Sequence, residues 1–95
     1  MFKFKAKKVL VTGASRGIGK AIAKGFAMNG AQVSLVYRKE KELADNLRNS
    51  LPGENHICVR SDVSVSEEAQ HAVSKTLDVF GSLDIVINNA GMYID

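Results

Sequence analysis

Four short runs rich in Val, Ile and Leu recur along the chain: Val9–Val11, Val33–Tyr37, Ile57–Val59 and Leu83–Ile87. They scarcely alternate between apolar and polar residues, so each requires apolar cover on both faces, as strands of a parallel sheet do. Parallel neighbours need long crossovers, and the stretches between the runs carry helical patterns. Ile18, Ala21, Ile22, Gly25 and Phe26 share one face at i, i+3, i+4, i+7 and i+8, and Asn29-Gly30 supplies the stop. Leu43, Ala44, Leu47 and Leu51 make a second face, ended by Pro52-Gly53. The third pattern opens on Ser64-Val65-Ser66-Glu67, a capping-box spacing in which Ser64 and Glu67 satisfy each other's backbone N–H groups. Ala69, Val73, Thr76, Leu77 and Phe80 line its face and Gly81 closes it. The alternation β-α-β-α-β-α-β with right-handed crossovers predicts an α/β fold, an open doubly wound parallel sheet.

Ninety-five residues with no repeat, low-complexity segment or linker make one domain, residues 1–95. A hydrophobic content of 45% with 24% charged residues is that of a globular chain. The net charge is +3, and six basic residues fall in the first twenty positions: Lys3, Lys5, Lys7, Lys8, Arg16 and Lys20. No basic helix with interleaved aromatics accompanies them, so nucleic acid is not the expected partner; they read as a solvated segment from which one or two groups suffice for a phosphate. Cys58 is the single cysteine and no Cys/His cluster has metal spacing, so neither an internal disulfide nor a metal is expected, and Cys58 reads as a buried core residue. His56 and His71 have no serine or cysteine pairing and read as exposed polar residues. The start MFKFKAKK lacks the apolar core of a signal peptide, and no apolar run is long enough to span a membrane, so the expected location is the cytoplasm or another reducing, soluble compartment.

The segment Thr12-Gly13-Ala14-Ser15-Arg16-Gly17-Ile18-Gly19 leaves the first strand and enters the first helix. The first N–H groups of a helix lack intrahelical partners, and with the positive end of the helix dipole they attract a phosphate or pyrophosphate. Gly13 permits a tight turn, Gly17 lets a ligand approach the backbone, and Gly19 lets helix and sheet pack closely. The spacing is G-x-x-x-G-x-G, and an ordinary tight turn between strand and helix is the alternative. Lys20 is not placed as the lysine of a P-loop.

With this loop in place the whole chain resembles the short-chain dehydrogenase/reductase family, and in particular the N-terminal part of 3-oxoacyl-(acyl carrier protein) reductase-like members. TGASRGIG looks like that family's cofactor loop, Asp62-Val63 sits where the family contacts adenine, and Asn88-Asn89-Ala90-Gly91 looks like its NNAG motif. The resemblance implies a Rossmann-like fold with strand order 3-2-1-4, of which this is the N-terminal half, and in that order Leu83–Ile87 is an edge strand without the lysine, proline or bulge that blunts natural edges. It implies that Asn89, Ala90 and Gly91 line the cofactor, that Thr12 braces the NNAG turn, and that Gly13, Ala14, Ser15, Arg16, Gly17, Ile18 and Gly19 hold the phosphates. The partners it implies are a small-molecule carbonyl or acyl-thioester substrate and further copies of the chain in a homo-oligomer.

NAD-binding folds often end the second strand on an acid that holds the ribose hydroxyls. Here Tyr37 and Arg38 stand there and no acid precedes Glu40. Arg38 and, if the resemblance holds, Arg16 are placed to grip a 2′-phosphate, so NADP (NADPH) is expected in preference to NAD; the alternative is that Arg38–Lys41 is a solvated loop. The family's catalytic Ser and Tyr-x-x-x-Lys pair lie beyond the NNAG motif. Tyr37 and Lys41 share that spacing, but Tyr37 ends a strand, so no catalytic residue is assigned. The chain is therefore expected to be the N-terminal piece of a longer reductase, inactive alone, or a non-catalytic nucleotide-binding module.

Overall fold

The computed structural model describes residues 3–89. Seven elements alternate: β1 (Lys8–Thr12), α1 (Gly17–Met28), β2 (Gln32–Tyr37), α2 (Lys41–Ser50), β3 (Ile57–Arg60), α3 (Ser66–Phe80) and β4 (Ile85–Ile87). All strand pairs are parallel and the sheet order is β3-β2-β1-β4. The expected architecture and strand order are therefore those observed. β1 is central, in register Val9 with Val33 on one side and Val9 with Ile85 on the other.

The absence of alternation in β1 and β2 has its cause in two cores, one on each face of the sheet. Val9, Val11, Val33 and Leu35 point toward α1 and α2, where Ala23, Ala27, Leu47 and Leu51 meet them. Leu10 and Val36 point the other way, toward Ala72 of α3 and Val59 of β3. Ser34 also faces α3 and is fully buried. Its hydroxyl lies 2.8 Å from that of Thr76, which donates its own proton to the Ala72 carbonyl at 2.8 Å. Thr76 has one proton to give, so Ser34 is the donor between them.

The expected face of α1 is rotated. Gly19, Ala23 and Ala27 are buried, whereas Ile18, Ala21 and Gly25 are exposed and Ile22 and Phe26 flank the core. Small residues bring the helix axis close to the sheet, and larger ones on that line would hold it off. In α2 the expected face holds for Ala44, Leu47 and Leu51, but Leu43 is exposed. In α3, Thr76 and Phe80 are buried, Ala72 joins them, and Leu77 turns outward.

The capping box does not form. Val65 occupies the N-cap position of α3 with no side-chain bond, and the Ser64 hydroxyl bonds Asp62 instead. Glu68 reaches back to the Asp62 N–H at 2.8 Å, so an acid still serves a free amide, one residue later and one turn further out. Gly81 ends the helix in the left-handed conformation as expected.

His56 is buried, contrary to its expected exposure. The Val33 N–H donates to its Nδ1 at 3.0 Å, so Nε2 carries the proton and donates to the Pro52 carbonyl at 2.7 Å. The imidazole thus ties the start of β2 to the turn after α2. Cys58 is half-buried rather than enclosed; burial pushes its thiol up to about 11, and its Sγ contacts the Ala44 carbonyl at 3.3 Å. β4 spans three residues, shorter than Leu83–Ile87, because Leu83 packs against the α3 side and Asp84 is drawn to the backbone N–H of Lys8 at 2.8 Å. The side of β4 away from β1 carries no strand among the described residues, and Val86 is 53% exposed.

Two outcomes follow from these contacts. Thr76→Val keeps the volume and strands the buried Ser34 hydroxyl, so it should lower the unfolding free energy by about 1–3 kcal/mol in urea melts; an unchanged midpoint contradicts the assigned pair. Cys58 should be alkylated by iodoacetamide at pH 8 much more slowly in the folded chain than in urea, since little thiolate is present.

Candidate functional site

The site forms where β1 hands over to α1. Thr12 ends the strand and Gly17 begins the helix. Gly13 and Gly17 sit at φ of 58° and 61°, a region that penalises a Cβ. A Cβ on Gly19 would fall 2.0 Å from the Gly13 carbonyl oxygen and 2.7 Å from Asn89 Nδ2, so no other residue fits there. This glycine makes room for the loop and the turn after β4 as much as for helix on sheet. Ala14 is buried and its N–H bonds the Val36 carbonyl at 3.2 Å, which fixes the loop to β2.

The N–H groups of Ser15, Arg16, Gly17, Ile18 and Gly19 make no hydrogen bond to the described residues. Arg16 occupies the N-cap position with extended backbone and no side-chain cap, and the first turn of α1 has no acid. Arg16, Gly17 and Ile18 are exposed. A row of main-chain donors at the positive end of a 12-residue helix is thus open to an anion.

Asn88 and Asn89, which follow β4, close on this loop. Thr12 Oγ1 lies 3.4 Å from the Ile87 carbonyl and 3.3 Å from Asn88 Oδ1, so the hydroxyl joins the ends of β1 and β4. Asn89 is 1% exposed; its Nδ2 donates to the Gly13 carbonyl at 3.2 Å, and its buried Oδ1 has no partner among the described residues. Ala90 and Gly91 lie outside the described residues.

Two cavities open beside the loop and share Gly13 and Arg38. One, of about 260 Å³, has Val36, Tyr37 and Val63 as its apolar lining, with Asp62 and Asn88 among its polar groups. The other, of about 280 Å³, is lined by Ser15, Arg16, Arg38, Lys39 and Glu40. The first offers apolar surface for a planar ring, and the second concentrates cationic side chains beside the open amides.

Asp62 is held in place by Ser64, whose hydroxyl and N–H reach Oδ1 at 2.6 and 3.1 Å. Those bonds, the hydroxyl's first, hold the carboxyl below the usual carboxylate range. Arg60 donates to Glu68 at 2.9 Å and to the Arg38 carbonyl at 3.1 Å, so the end of β3 is tied to α3 and to the residue after β2. Tyr37 is the last residue of β2 and Lys41 the first of α2, so this Tyr-x-x-x-Lys spacing shares no helix face.

The structure therefore brings Gly13, Ser15, Arg16, Arg38, Asp62 and Val63 to one rim, with Gly17, Ile18 and Gly19 at the helix start beside it. Sequence reasoning missed Glu40, whose carboxylate pairs with the Arg16 guanidinium, and Ser64, which orients Asp62. Ser64 was signalled by its position two residues after an aspartate, where a hydroxyl and amide can both return to the carboxylate. The Arg16–Glu40 pair spans twenty-four residues and had no local signal.

Comparison with known proteins adds the lineage. A family pattern described as short chain dehydrogenase matches residues 7–95. The chain is 43% identical to a glucose 1-dehydrogenase of Gluconobacter oxydans, over 97% of its own length and 35% of that protein's. A short chain dehydrogenase from Burkholderia cenocepacia, solved in complex with NADP, superposes with a TM-score of 0.85 at 37% identity, over 88% of this chain and 35% of that one. A 3-ketoacyl-(acyl-carrier-protein) reductase from Brucella melitensis, complexed with NADH, gives 0.81 at 34%, over 88% and 34%. The chain spans about a third of the length of each of these relatives. Its fold, its glycine loop and the turn after β4 place it in their company, and the chain belongs to the short-chain dehydrogenase family.

Proposed function

We propose that residues 1–95 are the dinucleotide-binding portion of a single Rossmann-like domain, and that they bind NADP in preference to NAD. The complete protein, on this reading, is an oxidoreductase that moves a hydride between nicotinamide and a carbonyl or secondary alcohol. The observation that carries the proposal is the shared rim at Gly13 and Arg38, where open main-chain donors, two guanidiniums and an apolar cavity converge.

The residues present fit such a cofactor. The amides of Ser15 to Gly19 would hold the pyrophosphate, Gly17 leaves their approach clear, and Ala14 is the buried tether that aims them. Val63 and Val36 would cover one face of the adenine, with the fixed Asp62 carboxylate at its polar edge. Arg16, Arg38 and Ser15 would take the 2′-phosphate. Asn89 holds the Gly13 carbonyl, and its unpartnered Oδ1, with Ala90 and Gly91 following, makes it a candidate for contact with the cofactor. The nicotinamide, when bound, supplies or accepts the hydride.

The neighbours include NADP and NADH complexes, so lineage alone does not choose between cofactors. Charge favours NADP: Tyr37, not an acid, ends β2, and Arg38 follows it. Substrate class is drawn from the Brucella relative and is a small carbonyl compound or acyl thioester. We take the complete protein to act as a homo-oligomer in the cytoplasm or another reducing compartment. A second reading, a nucleotide-binding module without turnover, is favoured by the position of Tyr37 and Lys41 on different elements. Either reading assigns binding, not hydride transfer, to this segment.

Isothermal titration with NADPH and NADH tests the assignment. Arg38→Asp should lower the NADPH-to-NADH affinity ratio by about tenfold or more, since a charge-assisted bond is worth about 1.5–3 kcal/mol. An unchanged ratio would contradict the role given to Arg38.

A further inference from the structure

Glu40 has no part in the binding scheme above, yet it lines the same cleft as Ser15, Arg16, Arg38 and Lys39. Its carboxylate accepts a hydrogen bond from the Arg16 guanidinium. The pair crosses the cleft from the glycine loop to the N-cap of α2, twenty-four residues away in sequence. One of the two arginines assigned to a phosphate is therefore already engaged by an anion supplied by the chain.

We propose that Glu40 is a cofactor-discriminating residue, an internal stand-in for the 2′-phosphate that a phosphorylated ribose must displace from Arg16. The inference rests on the preceding reading of the cleft as the adenosine-ribose site. A ribose with a free 2′-hydroxyl has no anion to offer and can bind with the ion pair intact. A 2′-phosphate carries between one and two negative charges at neutral pH and repels Glu40 while it competes for Arg16. Glu40 thereby narrows the preference that Arg16 and Arg38 create and lets the site accept both dinucleotides.

Magnitudes fix the direction. The two side chains are 67% and 33% exposed, so the pair is a weak, screened one. A phosphate meeting Arg16, Arg38 and the Ser15 hydroxyl forms several charge-assisted bonds and outcompetes a single exposed carboxylate. Displacement therefore reduces NADP affinity without preventing binding. The competing account is that Glu40 simply complements the dipole at the start of α2, near which an acid is favourable. That account predicts no difference between cofactors when the charge is removed.

Glu40→Gln keeps the size and removes the charge. In titrations at one ionic strength it should bind NADPH and 2′-phospho-ADP-ribose about fivefold more tightly, the upper end of an exposed ion pair's worth, with NADH affinity changed less than about twofold. In the Arg16→Gln background the same substitution should lose most of that gain. Equal effects on NADPH and NADH, or none, would overturn the role of Glu40 while leaving the site assignment standing. Failure of the unaltered chain to bind any of the three ligands would overturn the site assignment, and this inference with it.

Discussion

The Gly13 carbonyl is the point on which the arrangement turns. Gly19 packs against it so closely that an added Cβ would lie 2.0 Å away, and Asn89 Nδ2 donates to it at 3.2 Å. One oxygen thus fixes the first turn of α1 and the turn after β4 relative to the central strand. Beyond that contact, the amides of Ser15 to Gly19 have no hydrogen-bond partner among the described residues. Unpaired donors are tolerated at a surface because water satisfies them, and water is readily exchanged for an anion. The openness of these donors is then a consequence of packing between three small, specific groups.

The sheet makes this contact possible. β1 is central, so the ends of β2 and β4 arrive on either side of it, with α1 and α2 covering one face of the sheet and α3 the other. Ligands of open parallel sheets gather where strand order reverses, outside the carboxyl ends of the strands. Here that position lies between β1 and β4, and Thr12 and Asn89 bridge it. The rim at the ends of β2 and β3 is fixed separately, by Arg60 and Glu68, so the apolar and cationic cavities have independent supports meeting at Arg38.

Much of this was legible in the residues. Val9–Val11 and Val33–Tyr37 announced a doubly covered sheet because burial on both faces removes the polar half of the usual alternation. The place of the glycine loop between the first strand and the first helix was legible from its spacing. What was not legible depended on distance in sequence or on geometry that several residue types satisfy. The face of α1 was misread because Ile18 and Phe26 outrank Gly19 and Ala23 in hydrophobicity, whereas close approach to the sheet selects for small size. The capping box at Ser64 lost to Asp62, a stronger acceptor two residues away. His56 was misread because its partners, the Val33 amide and the Pro52 carbonyl, belong to elements that only the fold brings together. Arg16 was legible as a cation, but its engagement by Glu40 was not.

The central claim is that the main-chain donors of the glycine loop, and not its side chains alone, receive the anionic part of a dinucleotide. Amide chemical shifts recorded by NMR during addition of NADPH report on those donors one residue at a time. The account predicts that the largest downfield changes fall on Ser15 to Gly19, with smaller ones at Arg38 and Asp62 and none in the middle of α3. Changes confined to arginine side chains, or spread over α3 while the loop amides stay fixed, would contradict it.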